Sequence, residues 1–337
     1  MNGLERIKAA VAFAPPVEVP VIPQVFGHAA IAAGVPLEAY LRDGELLARC
    51  QLKALESYGH DAVFALMDVN VETEALGSVL RYRRNQYATI ETYALARTDD
   101  FSRLSLPDPE RAGRMPELLK AMRILRRELQ NEVLIAGCVT GPLTLAAQLL
   151  GMETALYLAI DEPERFGRLL DFTTEVAIRF GASQIRAGAH LPIVFDPAAS
   201  PAVVPGGFFR EFALPRLKKI FSSFRENGAT ANWLHIAGPA GPILPFFPEA
   251  GVEIANFDYY IAPETALAAL PGTCLDGNIK SLSFLASGAE EIRAEAESLL
   301  AAFAGRGGYI LSPGCEIPLE ARPENIRAMV TAAREAR

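Results

Sequence analysis

Two short segments of this chain place reactive side chains where an apolar run gives way to a turn. In GGYILSPGCEIP (307–318) the run ends in Gly314-Cys315, and Glu316 follows directly. In WLHIAG (233–238) an imidazole, His235, stands in the same setting. A thiol, a carboxylate and an imidazole at strand ends suit a soft metal, or a nucleophile with its base, better than a hydrocarbon core. The plainer reading of Cys315 is a small inert hydrophobe held in a turn. Other apolar runs also end in polar residues: Asp68 after 62–67, Asp196 after 191–195 with Ser200 just beyond, and Asn278 shortly after 272–275. Ser200 could equally serve as a helix N-cap, whereas Asp68 and Asp196 follow buried runs directly and read as catalytic carboxylates. Ser200 and Asn278 read as substrate contacts.

Groups on strand ends converge only if those ends face one way. The chain offers eight short apolar runs, at 19–26, 62–67, 133–139, 191–195, 230–235, 252–257, 272–275 and 308–311. They are apolar on both faces, as parallel strands covered by helices must be. Helical patterns fill the gaps. Residues 43–57 carry Leu47, Cys50 and Ala54 on one face and stop at Gly59, and 116–130 opens with Pro116 in its first turn. The stretches 163–187, 291–303 and 323–337 complete the set. This alternation predicts a single α/β domain over 1–337, a (β/α)8 TIM barrel with its reactive groups at the C-terminal rim. An N-terminal extension precedes it. A polar excursion at 77–114, after the second strand, holds Arg84-Asn85-Gln86 as the turn of a hairpin. No GxGxxG follows the first strand, which weakens a dinucleotide-binding reading.

Composition narrows the partners. The formal net charge is −8, and the basic cluster Arg81, Arg83, Arg84 is too small for a nucleic-acid footprint. The N-terminus lacks the apolar run of a signal peptide, and no stretch approaches ~18 uninterrupted apolar residues. The expectation is a cytoplasmic protein with no membrane partner. Cys50, Cys138, Cys274 and Cys315 are scattered without a CxxC pair, so no disulfide framework is expected.

The chain resembles the uroporphyrinogen decarboxylase superfamily, and within it the branch of zinc-dependent methyltransferases that move methyl groups between corrinoids and thiols. The resemblance rests on GHDAVFALMDVNVETEALG (59–77), VTGPLTLAAQLLG (139–151), DPAASP (196–201), LHIAGPAG (234–241), LDGNI (275–279) and SPGCEIPLEARPENIRAMV (312–330). It implies zinc held by a His-x-Cys motif and a later Cys. His235 and Cys315 match, but the middle ligand falls on Ala237, leaving Glu316 as the first candidate replacement, with Asp196 and Cys274 as others. It also implies a methyl-corrinoid co-substrate on a partner corrinoid protein, and a small methyl acceptor or donor. Phe208, Phe209, Tyr259 and Tyr260 would face the macrocycle. In the decarboxylases an arginine-rich segment resembling RQAGRY binds the substrate's carboxylates. Here its counterpart, 23–28, has no arginine, which counts against porphyrinogen turnover. Asp68 nevertheless occupies the place of the decarboxylase aspartate that binds pyrrole NH groups. Decarboxylation of a tetrapyrrole therefore stays open, as does a metal-free, non-catalytic subunit that keeps the cavity.

Overall fold

The structure, a computed structural model, describes residues 1–14, 18–95 and 101–336. Its strands are β1 (Ala62–Phe64), β2 (Val79–Arg83), β3 (Gln86–Thr92), β4 (Leu134–Thr140), β5 (Leu191–Phe195), β6 (Trp233–His235), β7 (Ile254–Asn256), β8 (Cys274–Ile279) and β9 (Tyr309–Pro313). Seven of them form one parallel sheet in the order β1-β4-β5-β6-β7-β8-β9, while β2 and β3 make a separate antiparallel hairpin. Every residue of β4 and β5 is buried, as parallel strands sandwiched between helices require. Helix Gly44–Tyr58 shows how the sequence sets its boundaries. The Asp43 carboxylate accepts the Glu45 and Leu46 N–H groups, and Gly59 closes the helix at φ 69°. Its buried face includes Leu47, Cys50 and Ala54.

The sheet curls until both edges reach one segment. Leu311 N–H donates to the Pro20 carbonyl and Ile22 N–H donates to the Leu311 carbonyl, each at 2.9 Å. On the other side, Asp61 N–H donates to the Val21 carbonyl at 3.0 Å, and Val21 N–H donates to the Asp61 carboxylate at 2.8 Å. The Asp61 carboxylate is fixed by Arg6 and Arg334, each at 2.7 Å. The strand expected at 19–26 is therefore a correction: it is reduced to the single bridge Val21–Leu311. Pro20 and Pro23 have no N–H to extend a ladder, and Gln24 turns the chain away at φ 48°.

A second correction concerns Asn278. It lies within β8, in register with Ser312, rather than in a turn beyond the strand. Gly277 is needed there for close approach, since a Cβ would sit 2.4 Å from the Phe257 carbonyl oxygen. The hairpin predicted around Arg84-Asn85-Gln86 is present, with Arg83 paired to Gln86. Residues 96–100 of that excursion lie outside the described residues, as does Arg337 of the last predicted helix. Among the described residues no single helix is long and apolar enough to cross a membrane.

Candidate active site

The C-terminal ends of the sheet strands open into a cavity of about 340 Å³. Its apolar wall comes from Phe26, Leu66, Val69, Ala88, Phe195, Pro197 and Ala237. Asp68, Asn70, Tyr87, His235, Cys315 and Glu316 supply the polar wall. Asp68, His235, Cys315 and Glu316, from three strand ends, are thus brought together. Asp196, Ser200 and Asn278 are not in this wall. Asp196 lies behind it, Ser200 Oγ accepts the Ala202 N–H at 3.4 Å, and the Asn278 amide donates to the carbonyls of Asp258 and Ile261 at 3.3 and 2.8 Å.

His235 is the last residue of β6, paired with Phe195 of β5, and its ring lies 4.6 Å from the Phe195 ring. Burial pulls its pKa down to about 3, so the imidazole is neutral. Neither ring nitrogen has a hydrogen-bond partner among the described residues, although the residue is only 4% exposed. Cys315 follows Gly314, whose Cβ would lie 2.8 Å from the Asp258 backbone, so only glycine lets this turn close. Ser281 clips the turn, donating from its hydroxyl to the Cys315 carbonyl at 2.8 Å and accepting the Cys315 N–H at 3.2 Å. Burial pushes the Cys315 thiol up to about 11, so it is protonated at neutral pH.

The two carboxylates of the wall are held differently. Asp68 meets Arg114 through two parallel bonds of 2.9 and 3.0 Å and accepts the Asn70 N–H at 2.8 Å. Arg114 also pairs with Glu74 at 2.5 Å, and Tyr82 donates to Glu74 at 2.9 Å. Glu316 accepts the Tyr87 hydroxyl and the Gly27 N–H, the latter at 3.2 Å. Burial lifts the Glu316 pKa to about 7 despite these donors. Behind the wall, Thr144 donates its N–H (2.8 Å) and its hydroxyl (2.7 Å) to one Asp196 oxygen, while the other oxygen is buried without a partner. Burial raises the Asp196 pKa to about 6. Gly141 makes room for it, since a Cβ there would come 2.3 Å from the Asp196 side chain.

The donor set does not fit a resident zinc ion. Catalytic zinc generally takes three protein ligands, and among the described residues no three His, Cys, Asp or Glu side chains come together to hold a metal. Glu316, the expected substitute for a ligand at Ala237, has one oxygen taken by both Tyr87 and Gly27. Cys274 is fully buried within β8.

Comparison with known proteins agrees with this architecture. The family model for uroporphyrinogen decarboxylase (URO-D) matches residues 2–336. The chain belongs to the URO-D family. Among its relatives, the methylcobamide:CoM methyltransferase MtaA of Methanosarcina barkeri is 30% identical over 296 residues, 86% of this chain and 84% of that protein. The uroporphyrinogen decarboxylase of Syntrophotalea carbinolica is 28% identical over 293 residues, covering 85% and 82%. A solved methyltransferase from Methanosarcina mazei superposes with a TM-score of 0.91 at 27% identity, covering 99% of both chains.

Within this URO-D chain, Phe26, from the arginine-free segment 23–28, contributes to the cavity wall. Sequence reasoning missed Tyr87 and Arg114. Tyr87 sits in the polar excursion 77–114, a kind of segment that often lies on the functional face but whose sequence singles out no one residue, and Arg114 stands 46 residues from Asp68. The one local signal for Arg114 is its place immediately before helix Met115–Leu129. Of the aromatics expected at the mouth, Tyr259 and Tyr260 are exposed and stacked at 4.3 Å. Phe208 and Phe209 instead pack against other phenylalanines, Phe166 and Phe212 for the first, Phe246 and Phe247 for the second.

Proposed function

We propose that this URO-D family protein is a methyltransferase that exchanges a methyl group between a corrinoid and a small compound bound in the cavity. One observation carries the reading: a cavity of about 340 Å³ at the strand ends, a size that suits a small compound, brings His235 and Cys315 into one largely apolar wall. The corrinoid is presented at the mouth, near Tyr259 and Tyr260, by a partner corrinoid protein, with the methyl group crossing at the threshold. The full architecture follows as one domain over 1–337, a (β/α)8 barrel whose eighth position is taken by the bridge segment at 20–22. A cytoplasmic location fits a partnership of this kind.

The chain's own groups have definable tasks. His235, neutral and with unpartnered ring nitrogens, can accept a hydrogen bond from a thiol acceptor and orient it; the acceptor gives its proton to solvent at the mouth and attacks the methyl group in line as the thiolate. Cobalt leaves with the electron pair of the methyl–cobalt bond. Asp68, fixed by Arg114, is a rigid hydrogen-bond acceptor in the wall. Asp196 acts as a positioning residue through Thr144, and Ser200 and Asn278 shape the loops around the mouth. Zinc on His235 and Cys315 would supply Lewis acidity, but two donors without a third do not make a catalytic zinc site.

Tetrapyrrole decarboxylation is the second reading, supported by Asp68 in the cavity wall. The test places methylcobalamin with small thiols in one assay and uroporphyrinogen in another. Loss of methylcobalamin that depends on His235 and Cys315 is the expected outcome. Efficient coproporphyrinogen formation would overturn the proposal in favour of the decarboxylase reading.

A further inference from the structure

Deeper in the barrel, a second group of polar side chains takes no part in the cavity wall. Asp276 of β8 is fully buried, and the Asn256 amide of β7 donates to one of its carboxylate oxygens at 3.1 Å. Ser312 of β9 and Trp233 of β6 face the same carboxylate. Gln24, from the segment that closes the sheet, donates its amide to Ser312 Oγ at 3.0 Å and to the Pro313 carbonyl at 2.9 Å. Gln24, Trp233 and Ser312 each stand two or three residues before a cavity residue: Phe26, His235 and Cys315. The group therefore supports three parts of that wall from behind.

Its hydrogen bonds do not balance. Asp276 Oδ1, Asn256 Oδ1, Gln24 Oε1 and Trp233 Nε1 are all buried without a partner. Three of these atoms are acceptors and one is a donor. A proton on Asp276 would serve one acceptor and leave two. A water molecule would serve two and leave the negative charge uncompensated. No cationic side chain among the described residues offsets that charge, and burial lifts the Asp276 pKa to about 7. A bound cation serves all three oxygens and the charge together. Oxygen donors favour hard ions over zinc, and one carboxylate balances one positive charge.

We propose that Asp276, Asn256 and Gln24 hold a buried monovalent cation, sodium or potassium, inside the barrel. The ion ties β7 and β8 to the closing segment, whose only ladder contact with the sheet is the bridge Val21–Leu311. Gln24 supplies its oxygen from a backbone at φ 48°, a conformation uncommon for any residue with a side chain. The site is independent of the methyl-transfer reading, and its test needs no turnover.

Trp233 is the single tryptophan of the chain and stands at the site, so its fluorescence reports on it directly. Protein dialysed into tetramethylammonium chloride, whose cation is too large for these oxygens, is titrated at pH 8.0 with sodium or potassium chloride at constant total chloride. Sodium and potassium retained after dialysis are counted by flame emission. A saturable change in Trp233 emission with a rise in Tm of at least about 2 °C, or about one retained equivalent of alkali ion, is expected. Asp276→Asn should abolish each of these. Gln24→Met keeps the carboxylate and, should Asp276→Asn not fold, replaces it as the test, raising the half-saturating concentration roughly fivefold or more. Identical emission and Tm in all three chlorides, with no retained ion, would overturn the proposal. A response that persists in Asp276→Asn would do the same, and a larger response to calcium chloride at matched ionic strength would overturn the monovalent assignment.

Discussion

Tyr87 donates its hydroxyl hydrogen to Glu316 across 229 residues of sequence. This contact fastens the β2–β3 hairpin to the loop after β9, and the Gly27 N–H, donating to the same tyrosine oxygen at 2.9 Å, locks the junction. The excursion that interrupts the strand–helix alternation is therefore part of the cavity wall. A Cβ on Gly27 would lie 2.6 Å from the Tyr87 oxygen, so the junction tolerates no side chain there.

Tyr87→Phe tests that junction. The ring still fills its space, but Glu316 loses a donor and the Gly27 N–H loses an acceptor. A loss of about 1–2 kcal/mol in unfolding free energy is expected from urea titration. An unchanged midpoint would show that the hairpin is held by packing alone.

Asp196 gives a pH-dependent prediction. Its folded pKa, about 6, lies above the ordinary value of 3.8 because burial disfavours the charged form. Its contribution to stability is therefore fully present below about pH 3.8 and is lost as pH rises through about 6. Asp196→Asn retains an oxygen for both Thr144 donors and does not titrate. Relative to the wild type, the variant should gain on the order of 2 kcal/mol between pH 4 and pH 8. A stability difference that stays constant across that range would contradict the assigned burial effect.

Much of this site was legible before the structure, for a definite reason. His235, Cys315, Glu316 and Asp68 each end an apolar run, and a parallel sheet turns that one-dimensional feature into a shared location. Features that depend on close approach were not legible. Gly277-Asn278 reads as a turn, yet the glycine is there because the Phe257 carbonyl leaves no room for a Cβ. The run at 19–26 reads as a strand by its apolar residues, but its two prolines cannot donate and the ladder stops at one bridge. Arg114 and Tyr87 were hidden because nothing local marks a partner tens or hundreds of residues away.

The Asp68–Arg114 pair should be costly to break from one side. Their side chains are 3% and 7% exposed, so removing the guanidinium strands the buried Asp68 carboxylate and leaves Glu74 without its ion pair. Arg114→Met is expected to destabilise by about 3–5 kcal/mol. The double variant Arg114→Met with Asp68→Asn should recover part of that loss, because the stranded charge is gone. If the double variant is no more stable than Arg114→Met alone, desolvated charge is not the source of the cost.

Ala237 offers the sharpest test of what the site lacks. It lies in the cavity wall two residues beyond His235, where the resemblance to zinc methyltransferases calls for a thiolate. His235 is neutral, as a metal-binding imidazole must be, and Cys315 shares the same wall. Two donors without a third bind zinc weakly, and a third thiolate converts the set into a three-ligand site with an open position. Metal binding also releases the thiol protons that burial holds in place, so affinity should rise with pH. Ala237→Cys is expected to raise zinc affinity at least ~10-fold over the wild type, measured by competition with a chromogenic chelator. The gain should disappear when His235→Ala is added. Stoichiometric zinc in the wild type, undiminished by Cys315→Ala, would place the metal elsewhere in the chain.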